Sequence, residues 1–146
     1  MKAFFIDIFE YHHHFNQKLA GILNTHTAQL EEKTLRLFSH TINAHQIWNA
    51  RITGGNPLGV HEHHTMERCR RLDLQNLKDT LTILNDYDLS DPITYRNSSG
   101  KEFQNSIRDV LFHIANHATH HKGQIIAALR QGGVEPPVTD YIFFKR

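Results

Sequence analysis

Apolar residues recur every three or four positions along four long stretches of the 146-residue chain. In an α-helix this spacing places them on one face, so each stretch predicts an amphipathic helix with a buried side. The predicted helices run from Phe4 to Leu23, over about residues 28 to 52, from Met66 to Leu84, and from Ser106 to Gly132.

The segments between these stretches carry the residues that end helices. Gly54, Gly55 and Pro57 stop the second helix, and the Gly132-Gly133 and Pro136-Pro137 pairs stop the fourth. Residues 93–103 contain a few β-formers around a turn signal, which predicts a loop or a small hairpin. The pattern therefore predicts an all-α chain: a single domain over residues 1–146, built as a four-helix bundle with a short extended loop or hairpin before the fourth helix.

Charge and cysteine content narrow the functional classes. Sixteen basic residues nearly balance fifteen acidic ones, which argues against binding to nucleic acid or an anionic membrane. No stretch has the length and apolar character of a membrane span, and Asp7 interrupts the N-terminal apolar run too early for a secretory signal. Cys69 is the single cysteine, so no disulfide forms within the chain, and it is interpreted as a core thiol. A cytoplasmic location is expected.

The unusual feature of the composition is its histidine content, thirteen of 146 residues. His117 and His121 are four residues apart near the apolar face of the fourth helix, so both rings can reach one cation. His113 and His117 share that spacing. The alternative interpretation is that these are boundary residues whose rings hydrogen-bond to backbone carbonyl groups.

The second helix offers two candidates for a third ligand. His45 lies roughly 40° from the centre of the apolar face and His40 roughly 100° from it. The two are about 140° apart around the axis, so they are not expected to bind the same ion. Periodicity alone favours His45.

The remaining histidines are weaker candidates. His12, His13 and His14 cannot share one helical face, which predicts one ring packed inside and two in solvent. His61, His63 and His64 lie at the start of the third helix beside a Gly-Pro loop, where solvated side chains are the usual outcome and adventitious metal binding is the alternative. One Glu-x-x-His motif, starting at Glu10, is too little for a di-iron carboxylate centre, and an H-E-x-x-H motif is absent.

Two segments resemble a known family. They are residues 111–125, LFHIANHATHHKGQI, and residues 38–51, FSHTINAHQIWNAR. Together with LRQGG at 129–133 and PPVTDY at 136–141, they are similar to the DinB-like family of the DinB/YfiT-type superfamily. The resemblance covers essentially the whole chain and implies a four-helix bundle, a homodimer, and one divalent metal ion held by three histidines.

Carried over residue by residue, the resemblance places the metal ligands at His40, His117 and His121. At the second helix the resemblance selects His40, whereas periodicity favours His45, and we follow the resemblance. His45 and His113 are kept as neighbours that orient a ligand or carry a proton, with His45 also as a substitute ligand. Three imidazoles suit zinc or nickel, with iron and copper as alternatives.

The resemblance also suggests a chemistry, because related members of the superfamily are thiol-dependent isomerases and S-transferases. Three protein ligands leave positions open for water or substrate. The hypothesis is a metal-dependent enzyme of S-transferase or hydrolase type that activates a thiol or water, with a small-molecule substrate such as a low-molecular-weight thiol. Asn43 and Gln124 are weaker candidates for orienting a ligand.

Two functional alternatives stay open: a non-catalytic metal-binding stress or interaction protein, and nonspecific metal buffering by surface histidines. The apolar segment Tyr141–Phe144 is interpreted as a docking patch or as a strap over the core.

Overall fold

The computed structural model describes residues 1–146 and is mainly helical. Its elements, in chain order, are α1 (Lys2–Thr25), α2 (Glu32–Thr53), α3 (Met66–Asp86), β1 (Pro92–Arg96), β2 (Glu102–Ser106), α4 (Ile107–Gln131) and α5 (Tyr141–Phe144). A single 3-10 turn, Thr27–Gln29, precedes α2. The four predicted helices are confirmed, while the two strands and α5 add to the all-α prediction.

Local signals explain where the long helices begin and end. The Ser106 hydroxyl accepts the backbone N–H of Asp109 at 3.2 Å at the start of α4, as the capping pattern predicts. Thr65 caps α3 in the same way through the N–H of Arg68, also at 3.2 Å. Gly54 ends α2 with φ at 73°, a left-handed conformation that favours glycine. These ends are set by short-range chemistry.

Residues 92–106 form an antiparallel hairpin. Of the loop and the hairpin that the sequence allowed there, the hairpin is the structure adopted. Tyr95 pairs with Phe103 in the register of the two strands, and Gly100 takes φ of 80° in the turn. The Asn97 side-chain oxygen accepts N–H groups of the turn, which stabilises it. The hairpin leads directly into α4 and fixes where that helix starts.

Each long helix contacts two others. α3 packs on α1 and α2, and α4 packs on α2 and, less closely, on α1. Buried apolar side chains form two clusters: one around Phe9, Ile83 and Leu111, the other around Leu23, Phe38 and Leu129. Buried polar residues also lie in the interior, among them Asn16, Asp73, Asn76 and Thr80.

The C-terminal segment crosses back over α1. The Tyr11 hydroxyl donates to the carbonyl oxygen of Thr139 at 2.5 Å, and Tyr141 and Lys145 both donate to the Asp7 carboxylate. Tyr141–Phe144 is thus held against α1 as a strap, although Phe143 keeps about half of its surface exposed. None of the helices has the length and apolar character required to span a bilayer.

Candidate metal centre

The groove between α2 and α4 brings three histidines together. One ring nitrogen from each of His40, His117 and His121 lies within 4.8 Å of the corresponding nitrogens of the other two. The ring centroids of His40 lie 5.2 Å from that of His117 and 5.1 Å from that of His121. All three side chains are half-buried. The cluster is therefore a candidate site for one metal ion.

The pair on α4 follows directly from helix geometry. Side chains four residues apart are neighbours on one helical face, and the Nε2 atoms of His117 and His121 lie 3.0 Å apart. Two nitrogens bound to one ion at about 2.0–2.1 Å in a tetrahedral arrangement would be about 3.3 Å apart. The observed spacing is close to that value, so the α4 pair fits a shared ion.

Hydrogen bonds at Nδ1 orient two of the rings. His121 Nδ1 donates to the Gln124 amide oxygen at 2.7 Å, and His40 Nδ1 donates to the backbone carbonyl of Val60 at 3.2 Å. Because each Nδ1 carries the proton, each Nε2 keeps its lone pair, which is the form that binds a metal. The donor set and its orientation fit a divalent ion.

Burial favours the neutral form of His117 and His40. The pKa of His117 is lowered to about 4, mainly by burial and in smaller part by the neighbouring rings of His121, His40 and His113. Burial also lowers the pKa of His40, partly offset by the hydrogen bond to Val60. Neutral imidazole is the ligand form, so these rings need to lose no proton at neutral pH in order to bind a cation.

His45, which periodicity favoured, lies outside the cluster. Its Nε2 is 2.8 Å from the Thr80 hydroxyl oxygen on α3, and its ring packs 5.2 Å from that of Phe9 on α1. Burial lowers its pKa to about 4. α2 thus turns His45 toward α1 and α3 and turns His40 toward α4.

His113 lies beside the cluster, one turn before His117. Its ring centroid is 5.7 Å from that of His117 and 5.1 Å from that of Trp48. It also lines a cavity of about 260 Å³ whose other walls include Trp48, Tyr95 and Asn105. Burial lowers the pKa of His113, and the charge of Arg51 makes a smaller contribution in the same direction. His113 therefore connects the candidate centre with a space that can admit a small molecule.

The loop before α3 contributes features that the sequence did not reveal. His61 stacks on His40 with ring centroids 5.8 Å apart, and the Val60 carbonyl belongs to the same loop. His64 is buried, contrary to the expected solvated position, because its Nε2 bonds to the Asn43 amide oxygen at 2.8 Å. Asn43 also donates to the Glu62 carbonyl at 2.7 Å, so it holds this loop. A backbone carbonyl such as that of Val60 leaves no signal in a sequence.

The histidines near the N-terminus lie on other faces. His12 is buried and His14 is exposed, as the helical spacing predicts. His13 is not simply solvated, because its Nδ1 lies 2.6 Å from a carboxylate oxygen of buried Asp73. Cys69 is fully buried, and burial raises the pKa of its thiol. The structure brings none of these residues to the cluster.

Comparison with known proteins agrees with the resemblance of the two histidine segments. The DinB family model matches residues 20–146, which include all three clustered histidines. The chain belongs to the DinB family. Protein DinB of Bacillus subtilis (strain 168) is 38% identical over 53 residues, which is 36% of this chain and 31% of the Bacillus protein. The match thus spans less than a third of that relative's length.

Proposed function

We propose that this DinB-family protein binds one divalent metal ion per chain through His40, His117 and His121. The observation that carries the proposal is the convergence of three imidazole nitrogens within 4.8 Å, from two helices that are distant in sequence. We further propose that the four long helices form the four-helix bundle of the family and that residues 1–146 are a single domain. Zinc or nickel suits three imidazoles, with iron or copper as alternatives.

The proposed activity is a thiol transfer or a hydrolysis. A divalent ion with three protein ligands supplies a Lewis acid that lowers the pKa of a thiol or water molecule. The protein's own part is to orient His40 through Val60 and His121 through Gln124, so that their lone pairs converge. His113 is the candidate for carrying a proton, because it lines the adjoining cavity and a neutral imidazole has one nitrogen that accepts a proton and one that donates one.

The proposed substrate is a small molecule, such as a low-molecular-weight thiol and the electrophile that it attacks. The cavity beside His113 is walled by Trp48 and Tyr95, whose rings lie 4.9 Å apart, so it suits a compact ligand with an apolar part. A homodimer, which the family resemblance implies, and a cytoplasmic location complete the proposal. Equilibrium sedimentation tests the dimer.

Metal content tests the site. Untagged, extensively dialysed protein should contain about one divalent ion per chain by elemental analysis, and His40→Ala and His117→Ala should lose it. His120→Ala is the matched control, because it removes an exposed histidine from the same helix, and His45→Ala should also keep the metal. The proposal would be overturned if the protein contained no stoichiometric metal, or if none of the four histidine substitutions changed its metal content. Several weakly held ions per chain would instead indicate surface buffering.

A non-catalytic metal-binding stress or interaction protein is the second candidate. One observation favours it: the cavity beside His113, about 260 Å³, is smaller than the roughly 300–1,000 Å³ typical of ligand pockets. Metal-loaded protein can be assayed with cysteine and 1-chloro-2,4-dinitrobenzene, where a C–S bond replaces the C–Cl bond and chloride leaves. Turnover that depends on His117 supports the enzyme. Metal binding without thiol binding or turnover supports the non-catalytic protein.

A further inference from the structure

A tight turn at residues 59–62 lies against the candidate metal centre. Its ends are closed on each other, because the Glu62 N–H donates to the Gly59 carbonyl at 3.1 Å and the Glu62 carboxylate accepts the Gly59 N–H at 3.3 Å. Val60 and His61 occupy its two middle positions. The Val60 carbonyl accepts the Nδ1 proton of His40 at 3.2 Å, so this turn orients one of the three proposed ligands.

Apolar packing does not hold the turn in place. All four of its residues are exposed, and Val60, its one large apolar residue, keeps 46% of its surface exposed. Segments with few buried contacts are the ones that open most easily. The position of the Val60 carbonyl is therefore set by hydrogen bonds between the turn and the rest of the protein.

Asn43 of α2 fastens the turn. Its side-chain amide is fully buried and paired at both ends: Nδ2 donates to the Glu62 carbonyl at 2.7 Å, and Oδ1 accepts from His64 Nε2 at 2.8 Å. A carbonyl can only accept, so the contact with Glu62 fixes which end of the amide faces the turn. His64 is itself buried, and its backbone N–H donates to the Ser39 hydroxyl at 3.1 Å. The chain just after the turn is thereby anchored in the interior.

Helix α2 thus contacts the turn at two points, through residues three apart on one helical face. His40 contacts Val60, and Asn43 contacts Glu62. The second bond is the shorter one and comes from a fully buried side chain, whereas the first is longer and lies at the surface. A long bond at the surface orients a ring only where its acceptor is already held, so the buried contact determines how firmly the exposed one acts.

We propose that Asn43 is a positioning residue of the metal centre. It fixes the turn at residues 59–62, whose Val60 carbonyl keeps the proton of His40 on Nδ1 and leaves the Nε2 lone pair for the ion. This role rests on the proposed function, because His40 needs to be oriented only if it binds the metal. Coupling between two sites is reciprocal, so an ion bound at His40 also makes the turn open less often.

Zinc affinity, measured by titration against a chromophoric chelator, tests the effect of Asn43 on the metal. Asn43→Ala should bind zinc about tenfold more weakly, since losing a contact that orients a ligand costs about 10–100-fold and water partly replaces this one. Asn49→Ala is the matched control, because it also removes a buried asparagine of α2, but one whose amide bonds to Asn76 and Thr80 of α3. It should lose stability and keep the wild-type affinity.

The tautomer of His40 is a readout that a general loss of stability does not move. Two-bond proton–nitrogen NMR correlation spectra of the metal-free protein should show His40 protonated at Nδ1 in the wild type and in Asn49→Ala. In Asn43→Ala they should show a mixture of both tautomers, because the Val60 carbonyl is no longer held against the ring. The spectrum of His40→Ala identifies the signal.

Amide hydrogen exchange tests the reciprocal effect of the metal on the turn. Zinc should slow exchange of the Glu62 N–H, which closes the turn, by about tenfold in the wild type, because the same factor acts in both directions. In Asn43→Ala the slowing should be much smaller. If that variant fails to fold, Val60→Gly replaces it: this exposed change keeps the carbonyl but frees the backbone, so zinc affinity should again fall.

The outcomes separate the role of Asn43 from the metal site itself. Wild-type protein that binds no zinc would overturn the proposed function and the role of Asn43 together. Three results would overturn the role of Asn43 alone. They are an unchanged zinc affinity in Asn43→Ala, equal losses of affinity in Asn43→Ala and Asn49→Ala, and a His40 tautomer that Asn43→Ala does not alter.

Discussion

Replacing Gln124 by leucine removes the oxygen that accepts the proton of His121 Nδ1 at 2.7 Å. All three proposed ligands stay in place, so the change alters only how firmly one ring is held. Loss of such a hydrogen bond typically lowers metal affinity by about 10–100-fold, or about 1.4–2.8 kcal/mol. Gln124 is exposed and His121 is half-buried, so water can replace part of the lost contact. We therefore expect the lower end, an affinity about tenfold weaker.

The measurement is a zinc titration in competition with a chromophoric chelator at neutral pH. Gln124→Glu is the conservative control, because a carboxylate also accepts the Nδ1 proton and should keep the affinity at or above that of the wild type. Gln131→Leu removes another exposed glutamine at the end of the same helix, where we expect no effect. The free energy of unfolding of the metal-free variants should change by no more than about 0.5 kcal/mol, because the replaced side chain is at the surface.

Two outcomes would refute the reasoning. The first is a Gln124→Leu protein that binds zinc as tightly as the wild type, which would mean that the hydrogen bond does not orient His121 for a metal. The second is an equal loss of affinity in Gln124→Leu and Gln124→Glu, which would show that the glutamine acts by something other than accepting this proton.

Three further predictions concern the fold. Gly132→Ala should destabilise the protein by about 1–3 kcal/mol in urea unfolding, because the added Cβ would lie 2.8 Å from the Gln29 carbonyl oxygen; Gly123→Ala, with open space around it, should instead stabilise α4 by about 0.5–1 kcal/mol. Burial lowers the pKa of His12 in the folded protein to about 3, below the usual histidine value of 6.5. Only the unfolded chain therefore gains a proton between these pH values, and stability falls as pH falls. Between about pH 7 and pH 4, wild-type protein should therefore lose about 3 kcal/mol more stability than His12→Phe, and parallel losses would contradict the assignment. Cys69 should react with a thiol reagent such as Ellman's only as fast as the chain unfolds, since it is fully buried and its pKa is raised; rapid reaction in native buffer would contradict this.

The helices and their ends could be predicted from the sequence because they depend on interactions within a few residues. The apolar spacing and the capping residue Ser106 act over one or two helical turns. The pairing of His117 with His121 is of the same kind, since a helix makes residues four apart neighbours whatever surrounds it. These features needed no knowledge of the tertiary structure.

The third histidine depended on how the helices pack. Periodicity measures how far a residue lies from the centre of the apolar face, and by that measure His45, roughly 40° away, is favoured over His40, roughly 100° away. α2 contacts α3 on one side and α4 on the other, so a residue well off the centre still faces a neighbouring helix. His40 meets α4 in this way, whereas His45 meets Phe9 and Thr80. The family resemblance identified His40 because it carries information about packing that periodicity lacks.

The sequence by itself determined the long helices, their caps and the spacing of the α4 pair, because local backbone geometry sets all three. Only the tertiary structure decided which histidine of α2 joins that pair, that the Val60 carbonyl orients it, and that His12 is left without a partner at Nδ1. These outcomes depend on contacts between segments far apart in the chain, and such contacts are set by the packing of whole helices rather than by the residues next to each histidine.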